Sequence, residues 1–350
     1  MTVAGAVLVL LPAIGVLTLA AILVIFVHAV ALRVAVERRE RALEPARRAL
    51  VTSLAQQNVG AEVIAQLTHL SRRRQTRLFV ELARMLSGED RALLTGVARE
   101  LGLIDTAREL IASPRWWKRL EGARLLNLCD ISAQDAPVLL RDAHPLVRAA
   151  GAEIIAIHGA PADLELVVPL LRDDAEVCRF AARDTLMRGG RAAEDVVAAH
   201  LATDDAVTAE ALLQVASSLG GHRFLDVALT RSTDASPRVR VLAATLLGAI
   251  GNPRATERLG LMLGDVAPDV RWTAADALAS LEYWPAGPMI SALLDDPEWE
   301  VRRRAAIALW KLGAPGVLLL RRALRSGTDV SQRAARYTLD FALASEAART

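Results

Sequence analysis

The sequence is poor in the residues that build cross-links, metal sites and known catalytic motifs. It has two cysteines, Cys129 and Cys178, too few for a disulfide framework, and they favour a reducing compartment. None of its six histidines lies three or four residues from another, and no Cys-x-x-Cys, His-Glu-x-x-His, glycine-rich phosphate loop or nucleophile elbow is present. The sequence therefore offers no catalytic, cofactor-binding or metal-binding residue, although a site assembled from distant segments would leave no such motif.

An excess of one charge is also lacking. The 42 basic and 40 acidic residues give a net charge of +2, which argues against nucleic acid as the main partner. Aromatic residues make up only 4% of the chain. Alanine, leucine and arginine are abundant, and these residues favour closely packed helices. The composition therefore predicts an all-α protein.

One long stretch at the N-terminus lacks charge altogether. From Val3 to Leu32 the only polar or ionisable side chains are Thr18 and His28, and about 20 apolar residues suffice to cross a bilayer as a helix. We predict an uncleaved transmembrane anchor over residues 1–32. A cleaved signal peptide is the alternative, but it normally has a basic segment before a shorter apolar core.

Arginine clusters on one side of this stretch. Six arginines lie within residues 33–48 and none precedes the apolar run, so the positive-inside rule places the C-terminal side in the cytoplasm. The expected location is the cell membrane, single-pass, with a cytoplasmic C-terminal domain.

The segment after the predicted anchor is charged and helical in pattern. Residues 33–60 are predicted to form a juxtamembrane stalk, a helix interrupted near Pro45, and residues 61–104 to form N-terminal capping helices. This part contains a basic run of Arg72, Arg73, Arg74 and Arg77. A solvated helix face is the interpretation we favour for it, and a contact with anionic headgroups is the alternative.

A pattern recurs about every 31 residues from Ser113 onward. An Asp precedes an Arg by six places, and a small residue, an aliphatic residue and a glycine follow the Arg by three, seven and eleven places. A period of this length indicates a helical solenoid. The charged pairs are Asp142/Arg148, Asp173/Arg179, Asp234/Arg240, Asp265/Arg271 and Asp296/Arg302.

These charged pairs have a predicted structural role, which we call the ladder. Each Asp is expected to accept hydrogen bonds from the N-terminal amides of the next helix and to pair with an Arg of the same or the adjacent repeat. In one case, loss of Arg271 is expected to leave Asp265 without its partner. Cys178 occupies a position that valine holds in other repeats, so we expect a small core residue there.

Three segments show the pattern most fully. They are DASPRVRVLAATLLGAIG (234–251), DVAPDVRWTAADALASLE (265–282) and DPEWEVRRRAAIALWKLG (296–313). The pattern is similar to HEAT repeats, and to the bacterial subclass first noted in phycobilisome lyases. The resemblance covers residues 105–343 and implies a HEAT-like α-solenoid of about eight helix pairs, preceded by the transmembrane helix. The array itself is assigned to residues 105–350.

Two departures from the pattern are candidates for a partner contact. In the unit at 195–221, Glu210 occupies the arginine position, which is consistent with a bend or partner contact and equally with simple divergence. Tryptophan and tyrosine are concentrated near the C-terminal end, on helices that line the concave surface in HEAT-like arrays. They predict either a partner-binding patch or side chains that fill gaps in the core. The candidate residues are Trp272, Asp276, Tyr283, Arg303 and Trp310.

The function we expect from these features is that of a membrane-anchored cytoplasmic scaffold, with no enzymatic activity, cofactor or metal. By analogy with similar anchored proteins, the partner would be a membrane enzyme such as a glycosyltransferase of envelope or exopolysaccharide synthesis. A chromophore-lyase-like enzyme is the first alternative and would need a pocket with a general acid or base and a tetrapyrrole. A nucleic-acid-binding helical-repeat protein is the second, and the near-zero net charge disfavours it.

Overall fold

A computed structural model describes residues 22–30, 33, 43–128, 133–203 and 206–347. Every regular element in these ranges is helical and none is a strand, which confirms the all-α prediction. Most of the predicted transmembrane segment, residues 1–21, lies outside the described residues. Within the described ranges, no helix has both the length and the apolarity needed to cross a membrane.

The chain divides between Ile131 and Ser132 into two compact units. The boundaries predicted after residues 32, 60 and 104 stay predictions.

The first unit contains six helices between residues 43 and 128. They are α1 (Glu44–Ala55), α2 (Ala61–Thr68), α3 (Arg72–Ala83), α4 (Gly88–Glu100), α5 (Leu103–Ile111) and α6 (Trp116–Leu128). Pro45 lies in the first turn of α1, where its missing N–H leaves no helical hydrogen bond unmade. Leu50 of α1 is fully buried, together with Leu67, Phe79 and Leu94 from the helices that follow. These apolar side chains form the core of the unit.

The second unit stacks seven helix pairs within residues 133–203 and 206–347. The first helices of the pairs are α7 (Ala136–Leu140), a 3₁₀ segment (Pro161–Arg172), α10 (Arg191–Thr203), α12 (Leu225–Arg231), α14 (Pro253–Met262), α16 (Gly287–Ala292) and α18 (Ala314–Ser326). The second helices are α8 (Pro145–His158), α9 (Glu176–Gly189), α11 (Ala206–Leu219), α13 (Pro237–Ile250), α15 (Pro268–Ser280), α17 (Trp299–Lys311) and α19 (Asp329–Ala347). This arrangement confirms the helical-repeat solenoid.

Small residues allow the second helices to approach one another. Successive second helices, such as α13, α15 and α17, pack against each other more closely than the first helices do. The alanine three residues after the ladder arginine is fully buried in these three helices. A Cβ on Gly248 of α13 would lie 2.7 Å from the Cβ of Ala277 on α15, so only glycine fits at that point. The second helices therefore form the tightly packed layer of this unit.

The position eleven residues after the ladder arginine ends the second helix. Gly251 adopts a left-handed φ of 66°, which glycine tolerates without strain. Glu282 adopts φ 51° at the equivalent position, although it has a side chain. Gly159 ends its helix differently, with φ −70° and ψ 145°, an extended conformation that needs no glycine.

Candidate functional site

Each ladder aspartate caps the second helix that follows it. The Oδ1 of Asp265 accepts a hydrogen bond from the N–H of Ala267 at 2.8 Å. The other four aspartates accept the same bond, at 2.8 to 2.9 Å, from the N–H two residues on. These bonds satisfy an amide that the start of a helix would otherwise leave unpaired.

Three ladder arginines join their own repeat to the next one. Each directs Nε to Oδ2 and Nη2 to Oδ1 of the aspartate 25 residues later, in a two-pronged geometry. The pairs are Arg148 with Asp173 at 2.7 and 2.7 Å, Arg240 with Asp265 at 2.8 and 2.7 Å, and Arg271 with Asp296 at 2.7 and 2.8 Å. None of these six side chains is more than 18% exposed, so the pairs are largely shielded from water.

The same arginines also hold their own repeat. Arg271 donates from Nη1 to the backbone oxygen of Asp265 at 2.8 Å, while the carboxylate of Asp265 is bound by Arg240. The expectation that Asp265 depends on Arg271 for a carboxylate partner is therefore wrong, because Arg271 serves Asp296.

Asp173, Asp265 and Asp296 each have a lowered pKa, which favours the charged form of these carboxylates. The hydrogen bonds from Arg148 hold the pKa of Asp173 below its usual value. Burial pushes the pKa of Asp265 and Asp296 upward, but the hydrogen bonds from Arg240 and Arg271 and from backbone amides outweigh it, so both pKa values are lowered. These groups are thus occupied in holding repeats together rather than free to transfer protons.

The ladder changes at its two remaining arginines. Arg179 donates from Nη1 to the backbone oxygens of Asp173 and Asp174 at 2.7 and 2.9 Å, and the next aspartate, Asp204, lies outside the described residues. Arg302 makes the equivalent backbone bond to Asp296 at 2.5 Å, but Ser326 stands where the next aspartate would be.

Glu210, the reversed charge, takes part in a different set of contacts. Its Oε2 accepts a hydrogen bond from Nε of Arg238 on α13 at 2.7 Å, and the Arg238 side chain is 72% exposed. The carboxylate of Asp234 is instead bound within its own repeat by Nη1 of Arg231 at 2.9 Å. Arg231 also donates from Nε to the backbone oxygen of Leu201 at 2.8 Å. Local arginines thus replace the two-pronged bond that Glu210 cannot make.

Two of the predicted patch residues belong to a connected surface on α15 and α17. The guanidinium carbon of Arg304 lies 4.6 Å from the centroid of the Trp272 ring. Glu300 accepts hydrogen bonds at 2.9 Å from the Nε atoms of both Arg303 and Arg304. The indole N–H of Trp272 donates to Asp269 at 3.1 Å. We call Trp272, Glu300, Arg303 and Arg304 the tryptophan–arginine surface.

Hydrogen bonds within this surface favour the charged forms of Glu300 and Arg303. Hydrogen bonds from Arg303 and Arg304 lower the pKa of Glu300 to about 2. The pKa of Arg303 is raised by its bonds to Glu300, with a smaller contribution from Tyr337 on α19. Tyr337 is 59% exposed, so an aromatic ring extends the surface onto a third second helix.

Asp276, Tyr283 and Trp310 are the remaining predicted patch residues. Nζ of Lys311 contacts Oδ1 of Asp276 at 2.5 Å, across the α15–α17 interface. Trp310 and Tyr283 are 39% and 38% exposed. Within the described residues, neither makes a ring contact or hydrogen bond with Trp272. Among the described residues, hydrogen bonds and ring contacts connect only Trp272 and Arg303 of the predicted patch, through Arg304 and Glu300, and Glu210 is not part of this surface.

Arg304 and Glu300 were missing from the sequence-based candidates. Arg304 lies 32 residues after Trp272, one repeat plus one position, so the two meet only when adjacent repeats are stacked. The sequence carries this pair only as a spacing of one period plus one position, which does not distinguish Arg304 from its neighbour Arg303.

Cys178 is a core residue. It is fully buried, its thiol lies 3.2 Å from the backbone oxygen of Pro145, and burial raises the pKa of the thiol. Across the part of the chain that the structure describes, no three His, Cys, Asp or Glu side chains are grouped so as to hold a metal ion.

The ladder geometry and the paired helices agree with a comparison against protein families. Residues 224–286 match the family model for HEAT repeats. They span α12 to α15 and contain the two-pronged bond between Arg240 and Asp265. A comparison with curated proteins finds no match.

Solved structures are similar to this chain in fold. The karyopherin Kap121p bound to the SUMO protease Ulp1p matches with a TM-score of 0.54 at 14% identity, over 83% of this chain and 40% of Kap121p. An engineered protein matches with a TM-score of 0.39 at 18% identity, over 86% of this chain and 95% of its own. Human deoxyhypusine hydroxylase in complex with glycerol matches with a TM-score of 0.29 at 17% identity, over 83% and 96%. The likeness to Kap121p concerns the helical-repeat fold alone.

Proposed function

We propose that this protein is a membrane-anchored scaffold that docks a protein partner on its HEAT repeats and carries out no chemistry of its own. A repeat array presents a long surface built from equivalent positions of successive helices, which suits recognition of an extended partner. The tryptophan–arginine surface is the observation that carries the proposal. Its charged and aromatic side chains lie at the surface, whereas the ladder side chains are largely buried and satisfied.

The composition of this surface fits a binding hot spot. Tryptophan, tyrosine and arginine are the residues most enriched where binding energy is concentrated. Arg304 stacked on Trp272 holds both side chains in place before a partner arrives, so less conformational entropy is lost on binding. Glu300 orients the two arginines from the other side. We propose that a helix or tail of the partner lies across α15 and α17, where Trp310 adds a half-exposed ring.

The membrane part of the proposal is supported by the sequence. The uncharged stretch from Val3 to Leu32 and the arginines that follow it favour a single-pass anchor with a cytoplasmic C-terminal domain. An anchored array is confined near the membrane, which raises its effective concentration for membrane-bound partners. A membrane enzyme, such as a glycosyltransferase of envelope or exopolysaccharide synthesis, is the partner we propose.

Site-specific photocrosslinking in native membranes tests this function. A photoreactive residue would replace Arg303 in the full chain, and the matched control would carry it at Leu261, which is 65% exposed on the first helix α14. We expect one integral membrane protein to be captured from position 303 and not from position 261. Equal capture at both positions, or capture at neither, would overturn the docking proposal.

A second pair of chains tests the anchor. The Arg303 crosslinker would be placed in the full chain and in a chain starting at Val34. We expect capture to fall sharply in the shorter chain, because it loses confinement to the membrane. Undiminished capture would show that the N-terminal segment does not concentrate the scaffold near its partner. A coloured small molecule that co-elutes, with no captured protein, would favour the lyase-like alternative.

A further inference from the structure

A basic groove lies within the first unit. It has a volume of about 700 Å³ and is lined by four arginines of α3 and its C-terminal end, Arg73, Arg74, Arg77 and Arg84, and by Arg124 of α6. Only two carboxylates, Glu81 and Glu121, share this lining. Glu81 is engaged by Arg47 at 2.9 Å, so it does little to neutralise the groove. The groove is therefore a concentrated positive site in a chain whose overall charge is nearly balanced.

The start of α3 places positive charge where a helix disfavours it. Its first turn carries Arg72, Arg73 and Arg74 and no acidic residue, and Ser71 makes no side-chain capping bond. The unpaired amides and the dipole at a helix N-terminus favour negative charge instead. Arg72 has a structural role, since it donates to Gln75 and to the backbone oxygen of Leu101. Arg73 and Arg74 line the groove.

Three of the groove arginines are uncommitted. Arg73, Arg74 and Arg84 are exposed, and their guanidinium groups make no hydrogen bond or ion pair with any described residue. The ladder arginines differ, since Arg148, Arg240 and Arg271 each donate to a carboxylate and to backbone oxygens. Three guanidinium groups converging on one cavity without partners retain their full capacity to donate hydrogen bonds to a ligand.

An apolar surface completes the groove. Leu43, Val80 and Trp117 line it beside the arginines. The Trp117 ring is 51% exposed and is held by an edge-to-face contact with Trp116, with ring centroids 6.0 Å apart. Ligand pockets commonly measure about 300–1,000 Å³, so the groove exceeds what a single phosphate ion needs. A ligand with a phosphate and a less polar part would use both surfaces.

We propose that this groove binds a phosphate group, carried either by an anionic lipid headgroup or by a soluble phosphorylated small molecule. The planar fork of arginine matches two phosphate oxygens at once, and a phosphate would also offset the charge crowded at the start of α3. The site lies in the first unit, so it does not depend on whether the HEAT repeats dock a protein.

The test uses the full chain in a neutral detergent and two soluble probes. One probe is inorganic pyrophosphate and the other is dihexanoyl phosphatidylglycerol, with dihexanoyl phosphatidylcholine as the reference lipid. Binding would be measured by calorimetry and by the fluorescence difference between the natural chain and Trp117→Phe. The triple variant R73Q/R74Q/R84Q removes the uncommitted arginines. We expect it to bind at least about tenfold more weakly, since charge-assisted bonds are the stronger ones.

Two matched variants separate a built site from general charge. R321Q/R322Q/R325Q removes the same number of charges from α18 and is expected to bind like the natural chain. R73K/R74K/R84K keeps the groove charge but loses the arginine fork, so binding is expected to weaken to an intermediate degree. Melting temperatures of all three variants would show that they fold. The single variant Arg84→Gln, at the end of α3, serves if the glutamine triple does not fold, and it too is expected to bind more weakly than the natural chain.

Each outcome of the titrations is decisive. Binding of both probes, lost in the groove variants alone, supports a general phosphate site. Binding of phosphatidylglycerol alone assigns the phosphate to a lipid headgroup, and binding of pyrophosphate alone assigns it to a soluble ligand. The proposal is overturned if neither probe binds, or if the α18 variant loses as much binding affinity as the groove variants. The crosslinking from Arg303 is a separate measurement, so failure of one proposal would not be mistaken for failure of the other.

Discussion

Arg271 on α15 holds the carboxylate of Asp296 in the next repeat through two parallel hydrogen bonds of 2.7 and 2.8 Å. Its third nitrogen donates to the backbone oxygen of Asp265 in its own repeat. One side chain therefore binds the aspartate-containing turns of two consecutive repeats. The side chains of Arg271 and Asp296 are only 12% and 5% exposed, so removal of either leaves the other charge poorly solvated.

Arg271→Ala is expected to lower the free energy of unfolding by about 3 kcal/mol, the range for breaking a buried ion pair. Arg302→Ala is the matched control, because Arg302 makes the same backbone bond but has no aspartate at the next ladder position. We expect it to cost only about 1 kcal/mol, because the variant loses backbone hydrogen bonds to Asp296 and Pro297 but leaves no buried carboxylate unpaired. Urea unfolding at neutral pH measures both, and equal losses would contradict an inter-repeat role for Arg271.

A double-mutant cycle isolates the pair itself. Arg271→Ala, Asp296→Ala and the double variant are expected to give a favourable coupling energy of about 2 kcal/mol, within the range for residues in direct contact. A coupling near zero would mean that Arg271 stabilises the array only through its own backbone bond.

The ladder carboxylates predict how stability depends on pH. The pKa values of Asp173, Asp265 and Asp296 are lowered from 3.8 in the folded chain, so the unfolded chain binds more protons as the pH falls. Their contribution is fully present above the unfolded pKa and is lost as the pH falls through the folded pKa. We therefore expect the free energy of unfolding to decrease as the pH drops below about 4.

The aspartate and its partner can each be changed to test the pH effect. Asp265→Asn removes the titrating group, and Arg240→Gln removes the guanidinium that lowers its pKa. Unfolding in urea between pH 6 and the acid limit of folding would give the slope of stability against pH. Both variants are expected to show a shallower slope than the natural chain. An unchanged slope in both variants would show that the ladder carboxylates do not cause the loss of stability in acid.

Leu309 and Trp310 are adjacent in sequence, but one is a core residue and the other lies at the surface. Leu309 is fully buried and Trp310 is 39% exposed. Leu309→Ala is expected to cost about 3 kcal/mol of stability, in the range for a buried leucine. Trp310→Ala is expected to change stability by less than about 1 kcal/mol, as for most surface positions. Trp310→Ala should also weaken capture of the partner by the crosslinker at position 303. A large decrease in melting temperature would instead identify Trp310 as a core residue.

Substitutions at two helix ends are expected to change stability in opposite directions. Glu282→Gly is expected to stabilise the protein by about 1 kcal/mol, because a side chain at φ 51° is strained. Gly251→Ala is expected to cost more than that, since its new Cβ would also lie 2.7 Å from Cδ2 of Leu281. Gly260→Ala, within α14 and 3.6 Å from Met289, is the control. It is expected to stabilise by about 1 kcal/mol, as for glycine to alanine in a helix interior. Melting curves would show all three signs.

The sequence was sufficient to predict the repeat because its period repeats identical physical requirements. Aspartate at the helix start, alanine at the close contact and glycine at the helix end recur at fixed spacing. The direction of the charged pairs was not predictable from spacing alone, since each Asp lies near two arginines. Geometry decides it, because Nη1 of Arg271 is used on its own turn while Nε and Nη2 face the next repeat.

The candidate sites were harder to predict because they join positions from different helices. The helical spacing predicts that Trp272 and Tyr283 share one face, but the Trp272 ring contacts Arg304 on the next second helix. The basic run at Arg72–Arg77 was visible in the sequence, yet nothing in it separates the structural Arg72 from the groove arginines. Arg124 reaches the same groove from α6, about 50 residues away, and only the packing of α3 against α6 places it there.

Glu210 gives the array a mechanically weak point. Tension along the second unit would be carried by two-pronged clamps at Arg148 and Arg240, but here by the exposed Arg238–Glu210 bond and the Arg231 bond to Leu201. Gly220 and Gly221 follow directly, both with positive φ, so the backbone lacks side chains that would stiffen it. Extension would begin at this repeat, and residues 224–286 would then turn as a block while the Arg240–Asp265 clamp within them stayed closed.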